Sequence, residues 1–160
     1  MAQKFWLMKS EPDTYSIDHL KKDQTTWWEG VRNYQARNYM VKDMQVGDGV
    51  LFYHSNAQPP GVAGLAFVSH LAVADNSQFD KKSSVYDPKA TKEKPNWFCT
   101  QVQFKAKFKN LISLNQIKVD ERLKEMIVIK KGSRLSIQPV QKSDFDLICG
   151  LDETEKKKKG

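Results

Sequence analysis

Aromatic and polar residues occur together at several predicted turns and strand ends of this 160-residue chain. The groups are residues 6–12, 27–33, 53–56, 86–88 with Trp97, and 132–134. A nucleobase has apolar faces and a polar edge, and an aromatic side chain that stacks on one face contributes about 1–3 kcal/mol. Short polar side chains hydrogen-bond to the edge, whereas Arg and Lys suit the phosphate. These residue types point to the binding of a heterocycle by loops that a rigid framework positions.

Ten residues from these groups are candidates for the lining of such a pocket: Lys9, Ser10, Trp28, Asn33, Tyr53, His54, Ser55, Tyr86, Trp97 and Arg134. Trp27 and Trp28 are adjacent, so an extended segment cannot turn both side chains inward. One of the two is expected at the pocket, and we choose Trp28. Trp6 alternates with Leu7 and is better explained as a core residue, because aromatic side chains dominate protein cores.

Five of the candidates also have simpler structural roles. Lys9 and Ser10 follow an apolar run and can merely end a strand. Asn33 is favoured on local grounds as the N-cap of a helix. His54 fits an ordinary hydrogen-bonded histidine, and Arg134 fits a partner for one of the protein's own carboxylates. The prediction of a pocket therefore depends on the combination of these residues and on no single one.

The positive charge of the chain is concentrated in one stretch. The sequence has 26 basic and 19 acidic residues, a formal net charge of +7, and residues 81–109 contain eight of the lysines against two acids. One-sided positive potential attracts polyanions, although a lysine-rich solvated surface explains the charge equally well. The candidates for binding a nucleic-acid backbone are Arg32, Arg37, Lys105, Lys107 and Lys109.

Sequence motifs for catalysis, a cofactor or a metal are missing. The glycines match neither G-x-G-x-x-G nor the P-loop spacing, and no G-x-S-x-G motif is present. The three histidines lack zinc-site spacing, and Cys99 and Cys149 are too far apart for a Cys-x-x-Cys pair. We expect no cofactor, no metal and two reduced thiols. Apolar runs are too short for a membrane helix or a signal peptide, so an intracellular, soluble protein without a membrane partner is expected.

Periodicity and turn signals predict short strands interrupted by short helices. The strands are expected over 5–8, 50–53, 62–71, 97–109, 126–129 and 135–140. The helices are expected over 16–22, 33–40, 113–123 and 143–148, each with its first residue, Ser16, Asn33, Ser113 or Ser143, as the N-cap. The second and third strands are predicted to form a hairpin, and residues 75–96 a long loop. Along 97–109 the apolar side chains occupy even positions and the basic ones odd positions, which indicates one core face and one solvated face.

This order of elements excludes a doubly wound sheet and favours an α+β domain around a small, strongly bent sheet or barrel. The length suits one folded domain, expected over residues 1–151. A disordered, lysine-rich tail is expected over residues 152–160.

Several long segments of the sequence resemble those of the EVE domain, a family of the PUA-like superfamily. They are W-L-M-K-S-E-P at 6–12, W-E-G-V-R-N-Y-Q-A-R at 28–37, L-F-Y-H-S-N at 51–56, P-G-V-A-G at 60–64, Y-D-P at 86–88 and G-S-R-L-S-I-Q-P-V at 132–140. The resemblance spans about residues 4–150. It implies a small mixed PUA-like β-barrel with flanking short helices, related to the YTH domains that hold a methylated adenine in an aromatic cage.

The same resemblance assigns roles to individual residues. Lys9-Ser10 resembles the Lys-Ser pair at the YTH pocket, Trp28 resembles a cage tryptophan, and Asn33 resembles the residue that meets the base edge. The strand over 51–55 resembles the adjacent wall. The second aromatic face falls on Trp97 or Tyr86.

The resulting hypothesis is a non-catalytic, nucleic-acid-binding domain that accommodates one modified base of DNA or RNA. Its expected location is the cytoplasm or nucleoid in a bacterium and the nucleus in a eukaryote. The alternative is an amidohydrolase acting on modified nucleosides, as the resemblance to ASCH domains implies, with Lys9, Glu11 and Glu29 as candidate catalytic groups. A third hypothesis is a module that binds an acidic protein partner through its basic loop.

Overall fold

A computed structural model describes residues 3–130 and 135–159, with side chains described as far as Asp152. The strands are β1 (Phe5–Ser10), β2 (Thr25–Trp27), β3 (Gly49–His54), β4 (Gly61–Ala74), β5 (Phe98–Ser113) and β6 (Ile137–Val140). The helices are α1 (Ile17–Asp23), α2 (Tyr34–Asn38), α3 (Leu114–Val119) and α4 (Lys142–Lys159). A π-helical turn over Tyr39–Asp43 continues α2, and 3-10 turns occur at Asn76–Phe79, Glu121–Leu123 and Ile127–Ile129.

The described strands form one mixed sheet in the order β2-β5-β4-β3-β1-β6. β1 and β3 run parallel, and the predicted hairpin is the antiparallel pair β3–β4. Successive strand residues point to opposite sides, and both sides of the centre of the sheet are buried. Met8 and Phe52 belong to one apolar cluster, whereas Leu7 and Leu51 belong to the other.

Strands β4 and β5 bend the sheet through four shifts of their mutual register. Such irregularities bend a strand and increase its twist. As a result β5 passes from one cluster to the other, because Val102 packs in the first and Phe108 in the second. The predicted even–odd alternation holds from residue 102 to 109 and is wrong at the start of the strand, where Cys99 is buried and Phe98 is only half-buried.

Three of the four predicted N-caps are confirmed, and the fourth is wrong because α4 already begins at Lys142, which places Ser143 inside the helix. The side chains of Ser16, Asn33 and Ser113 accept hydrogen bonds from the third backbone N–H of α1, α2 and α3. These bonds satisfy donors that a helix leaves without an internal partner. The starts of α1, α2 and α3 could therefore be predicted from local sequence.

The structure differs from the predicted elements in three places. The apolar run 126–129 is a 3-10 turn and not a strand, and β2 was not predicted at all. Helix α4 continues past Gly150, and Asp152 is buried and accepts a hydrogen bond from the backbone N–H of Lys109 at 3.0 Å. The Asp152 side chain therefore contacts β5, whereas the division into a domain over 1–151 and a disordered tail over 152–160 stays a prediction. In the described residues no helix is both long and apolar enough to cross a membrane.

Candidate functional site

A cavity of about 230 Å³ lies where β1 ends beside the segment that leaves β2. It is lined by Lys9, Ser10, Thr14, Tyr15, Thr26, Trp27, Trp28 and Glu29. Pockets for drug-sized ligands measure about 300–1,000 Å³, so this volume suits a single small heterocycle. Three of the predicted pocket residues, Lys9, Ser10 and Trp28, meet here.

Both adjacent tryptophans line the cavity, which corrects the expectation that only one would. Trp27 ends β2 and is half-buried, with its ring edge-on to His70 at 5.2 Å between centroids. Trp28 follows the strand, and its backbone N–H donates to the carbonyl of Thr100 at 2.8 Å. Its indole is 8% exposed and meets Phe52 edge-to-face at 5.5 Å. Trp28 therefore belongs both to the apolar core and to the cavity wall.

The polar side of the cavity comes from the end of β1. Ser10 Oγ donates to the carbonyl of Tyr15 at 2.6 Å, which closes the turn between β1 and α1. Lys9 Nζ lies 5.9 Å from the centroid of the Tyr53 ring, on the neighbouring strand. Burial lowers the pKa of Lys9 and raises the pKa of Tyr15. Lys9 and four residues that carry hydroxyl groups, Ser10, Thr14, Tyr15 and Thr26, thus line the cavity together with the two tryptophans.

Glu29 is held next to the fully buried Asp75. Asp75 Oδ2 accepts hydrogen bonds from the Gly30 N–H at 2.8 Å and from Arg32 Nη1 at 3.2 Å. Burial opposes ionisation of Asp75, but hydrogen bonds from Ser77, Gly30 and Arg32 outweigh it and lower the pKa of this carboxyl. Burial and the charge of Asp75 raise the pKa of Glu29. Gly30 has φ +86°, a conformation that favours glycine, so the turn that presents Glu29 depends on it.

Four other predicted pocket residues lie outside the cavity lining. Asn33 Oδ1 accepts from the Ala36 N–H at 2.9 Å and caps α2. His54 Nε2 accepts from the Ile17 N–H at 3.1 Å, and burial lowers the pKa of its imidazole. Tyr53 is buried in the second apolar cluster, and the Ser55 N–H donates to the Ser10 carbonyl at 3.0 Å. Tyr53, His54 and Ser55 support the strand end that presents Lys9 and Ser10.

Trp97 belongs to a second aromatic group, beside α2. Its ring stacks on Tyr34 with 4.9 Å between centroids, and its Nε1 donates to Asp87 Oδ2 at 2.8 Å. The guanidinium carbons of Arg32 and Arg37 lie 5.3 Å and 5.8 Å from its centroid. Arg32 also donates to the carbonyl of residue 85, the neighbour of the predicted pocket residue Tyr86, at 3.0 Å. Trp97 and Tyr86 are not in the cavity lining, and Arg134 lies outside the described residues.

The three lysines of β5 are exposed, as the alternation predicted, but their surroundings differ. Lys107 Nζ forms an ion pair with Asp18 Oδ1 at 2.7 Å. Lys105 lines a separate depression together with Lys142. The backbone of Lys109 is fixed by Asp152. Their role in binding a nucleic-acid backbone stays a prediction.

Sequence reasoning missed Trp27, Thr14, Tyr15 and Thr26 as parts of the wall, and Tyr34 in the second aromatic group. The signal for β2 was present, because the Thr-Thr-Trp run combines β-branched and aromatic residues that favour strands. A run of three residues is too short to establish a period. Tyr34 stands next to the cap Asn33 and gave no separate signal.

Some of the groups that could serve catalysis are present in the cavity wall. Of the candidate catalytic residues, Lys9 and Glu29 line the cavity and Glu11 does not. Burial raises the pKa of Cys99 to about 12, which leaves it a poor nucleophile. Among the residues whose side chains are described, no three His, Cys, Asp or Glu groups could hold a metal ion.

The bent mixed sheet and its aromatic-walled cavity define an α+β domain of the PUA-like class. The chain belongs to the EVE domain family, whose model matches residues 4–151. Human Thymocyte nuclear protein 1 is 40% identical over 94% of this chain and 74% of its own length. The resemblance noted in the sequence and the PUA-like fold class are thereby confirmed.

Two solved structures are similar in both fold and sequence. A hypothetical protein from Leishmania major has a TM-score of 0.92 and 46% identity, covering 97% of this chain and 98% of its own. The human THYN1 protein in complex with 5-methylcytosine containing DNA has a TM-score of 0.86 and 39% identity, covering 94% of this chain and 98% of its own. An ASCH protein from Zymomonas mobilis, at 10% identity and a TM-score of 0.53, shares the fold alone.

Proposed function

We propose that this protein is a non-catalytic DNA-binding domain that holds one modified base, 5-methylcytosine in the first instance, in the cavity between Lys9 and Trp28. One observation carries the proposal. A relative with 39% identity over nearly the whole chain has been solved in complex with DNA that contains 5-methylcytosine. The same fold here has a cavity of about 230 Å³ with two indoles in its wall.

The chemistry of the wall matches the two requirements of base binding. Trp27 and Trp28 offer apolar ring surface for the faces of a pyrimidine and for its methyl group. Hydroxyls of Ser10 and Thr26 and the carboxyl of Glu29 offer donors and acceptors for its edge. Taking a base out of a duplex costs a few kcal/mol, and stacking at about 1–3 kcal/mol per base offsets much of that cost.

The test compares oligonucleotides that differ by one methyl group on one cytosine. One methyl in an apolar pocket discriminates by about 1–3 kcal/mol, so we expect roughly 5- to 150-fold tighter binding of the methylated strand. Equal affinity for both strands would contradict the proposal. An RNA of the same sequence, bound equally well, would overturn the assignment to DNA.

A second measurement addresses the enzyme alternative. The protein is incubated with methylated and acylated nucleosides, and the products are analysed by mass spectrometry. We expect the nucleosides to remain unchanged, and turnover that depends on Lys9 or Glu29 would overturn the non-catalytic assignment. Since the human relative is named a nuclear protein, we also propose that in a eukaryotic cell this chain acts in the nucleus.

A further inference from the structure

An exposed aromatic ring stands on a rigid support at the start of α2. Tyr34, the first residue of α2, is 60% exposed and stacks on Trp97 with 4.9 Å between centroids and 30° between planes. Trp97 itself is buried and tied by its Nε1 to Asp87. A large ring that is mostly exposed and yet fixed from below loses little conformational freedom when a ligand stacks on it.

Arg37 leaves the outer face of Tyr34 open. Its guanidinium carbon lies 4.7 Å from the Tyr34 centroid and 5.8 Å from the Trp97 centroid. If Arg37 and Trp97 covered opposite faces of Tyr34, the distance between them would approach the sum of their distances to Tyr34. The distance between Arg37 and Trp97 is instead only slightly longer than either of those two, so they do not cover opposite faces of the tyrosine ring, which stays 60% exposed.

The guanidinium of Arg37 is positioned by hydrogen bonds to neutral groups. Its N–H groups donate to the carbonyl of Asn96 at 2.9 Å and to Asn38 Oδ1 at 3.0 and 3.2 Å. Among the described side chains it has no carboxylate within ion-pair distance, in contrast to Arg32, which pairs with Asp75. A positioned, uncompensated guanidinium beside an open aromatic face suits an anionic ligand with a planar group.

We infer that the outer face of Tyr34, with Arg37 beside it, is a second nucleic-acid site on which a base flanking the one in the cavity stacks. This inference rests on the proposed function. Tyr34, Trp97 and Arg37 together form this site, the Tyr34 platform.

The platform lies within reach of the same strand. Tyr34 follows Glu29 of the cavity wall by five positions, so their Cα atoms are at most about 18 Å apart. Stacked nucleotides advance about 3.4 Å each, which places the platform within roughly five nucleotides of the bound base. The two sites are also joined through contacts, because Asp75 binds both the Gly30 backbone and Arg32, and Arg32 lies over Trp97.

The test uses DNA strands that carry a single 5-methylcytosine and one abasic site, moved through the flanking positions. With the unmodified protein, removing the base that rests on Tyr34 should weaken binding roughly 5- to 150-fold, the equivalent of about 1–3 kcal/mol for one stacked base. Tyr34→Ala should lose the same factor with intact DNA and become insensitive to the abasic site. Tyr34→Phe, which keeps the ring, should bind as the unmodified protein does, and Val119→Ala, an exposed change on α3, is the matched control.

Two results would overturn the inference. One is intact affinity of Tyr34→Ala for every strand, as expected if Tyr34 instead contacts a protein partner. The other is an affinity loss in Tyr34→Ala that leaves the sensitivity to abasic sites unchanged. Failure of the proposed function looks different, because methylated and plain strands would then bind equally well whatever residue stands at position 34.

Discussion

Arg32 and Asp75 form an ion pair at 3.2 Å in which the carboxylate is fully buried and the arginine side chain is 20% exposed. The same carboxylate oxygen accepts the Gly30 N–H, and the arginine lies over Trp97. One pair therefore fixes the turn after the cavity wall and the start of the long loop at the same time.

Loss of this pair should destabilise the whole domain. Arg32→Ala leaves a buried carboxylate without its cation, at a cost of about 2–4 kcal/mol in the free energy of unfolding. Urea denaturation measures the change, and a double-mutant cycle with Asp75→Asn should show a coupling energy of at least about 1 kcal/mol. Lys142→Ala removes an exposed pair with Asp146 and should cost no more than about 0.5 kcal/mol. An equal loss of unfolding free energy in Arg32→Ala and Lys142→Ala would contradict the role of Arg32.

His54 should make stability depend on pH. Its Nε2 must be unprotonated to accept from the Ile17 N–H, and burial lowers the pKa of the imidazole below 6.5, although Asp18 opposes this shift and Lys107 adds to it. The unfolded chain therefore binds more protons than the folded one as the pH falls through 6.5, and stability is lost in that direction.

The pH effect is measured as a difference between variants. The advantage of the unmodified protein over His54→Asn in unfolding free energy should be full at about pH 8 and shrink below the unperturbed histidine pKa of about 6.5. A constant difference for His54→Asn would contradict the prediction.

Local sequence predicted the elements better than it predicted the cavity. Caps depend on a residue and its near neighbours, so Ser16, Asn33 and Ser113 could be identified without knowledge of the fold. The run at 126–129 was wrongly predicted to be a strand, because a short apolar segment fits a buried turn as well as a strand. Periodicity along β5 failed at Cys99 because the shifts of register depend on the partner strand.

The cavity depends on contacts between distant segments. Trp27 and Trp28 reach Lys9 and Ser10 because β2 adds to the edge of β5, through the register of Trp27 with Gln101. No local pattern contains that pairing. The resemblance to the EVE family pointed to Lys9, Ser10 and Trp28, whereas Trp27 became visible only in three dimensions.

The two indoles of the wall are expected to carry base binding. Trp28→Ala would not separate a loss of binding from a loss of folding, because removing a buried indole lowers the free energy of unfolding by about 3–5 kcal/mol. Trp28→Phe and Trp27→Ala are the better variants, and each should weaken binding of a methylated strand and reduce its preference over the plain strand. Fluorescence anisotropy gives the affinities, and a thermal melt confirms that the variants fold.

A core tryptophan provides the matched control for the indoles. Trp6 is 2% exposed, donates through Nε1 to Asp48 at 3.0 Å and is absent from the cavity lining. Trp6→Phe should therefore lower stability and leave the methyl preference of the folded protein unchanged. Full retention of that preference in both Trp27→Ala and Trp28→Phe would remove the cavity from the binding model.

The lysines of β5 are expected to act on every DNA sequence alike. Each lysine that contacts a phosphate releases counterions, so its loss lowers the slope of log affinity against log salt by about 0.9 for duplex DNA. Lys105→Gln with Lys109→Gln should weaken methylated and plain strands by the same factor and flatten this slope. Lys107→Gln should do less, because Asp18 already neutralises its ammonium at 2.7 Å. Lys118→Gln, in the last turn of α3, is the control.

Two results would contradict this role of the β5 lysines. An unchanged salt slope in the Lys105→Gln and Lys109→Gln double variant would mean that this face of β5 only keeps the protein solvated. A change in the preference for the methylated strand would instead place these lysines in base recognition.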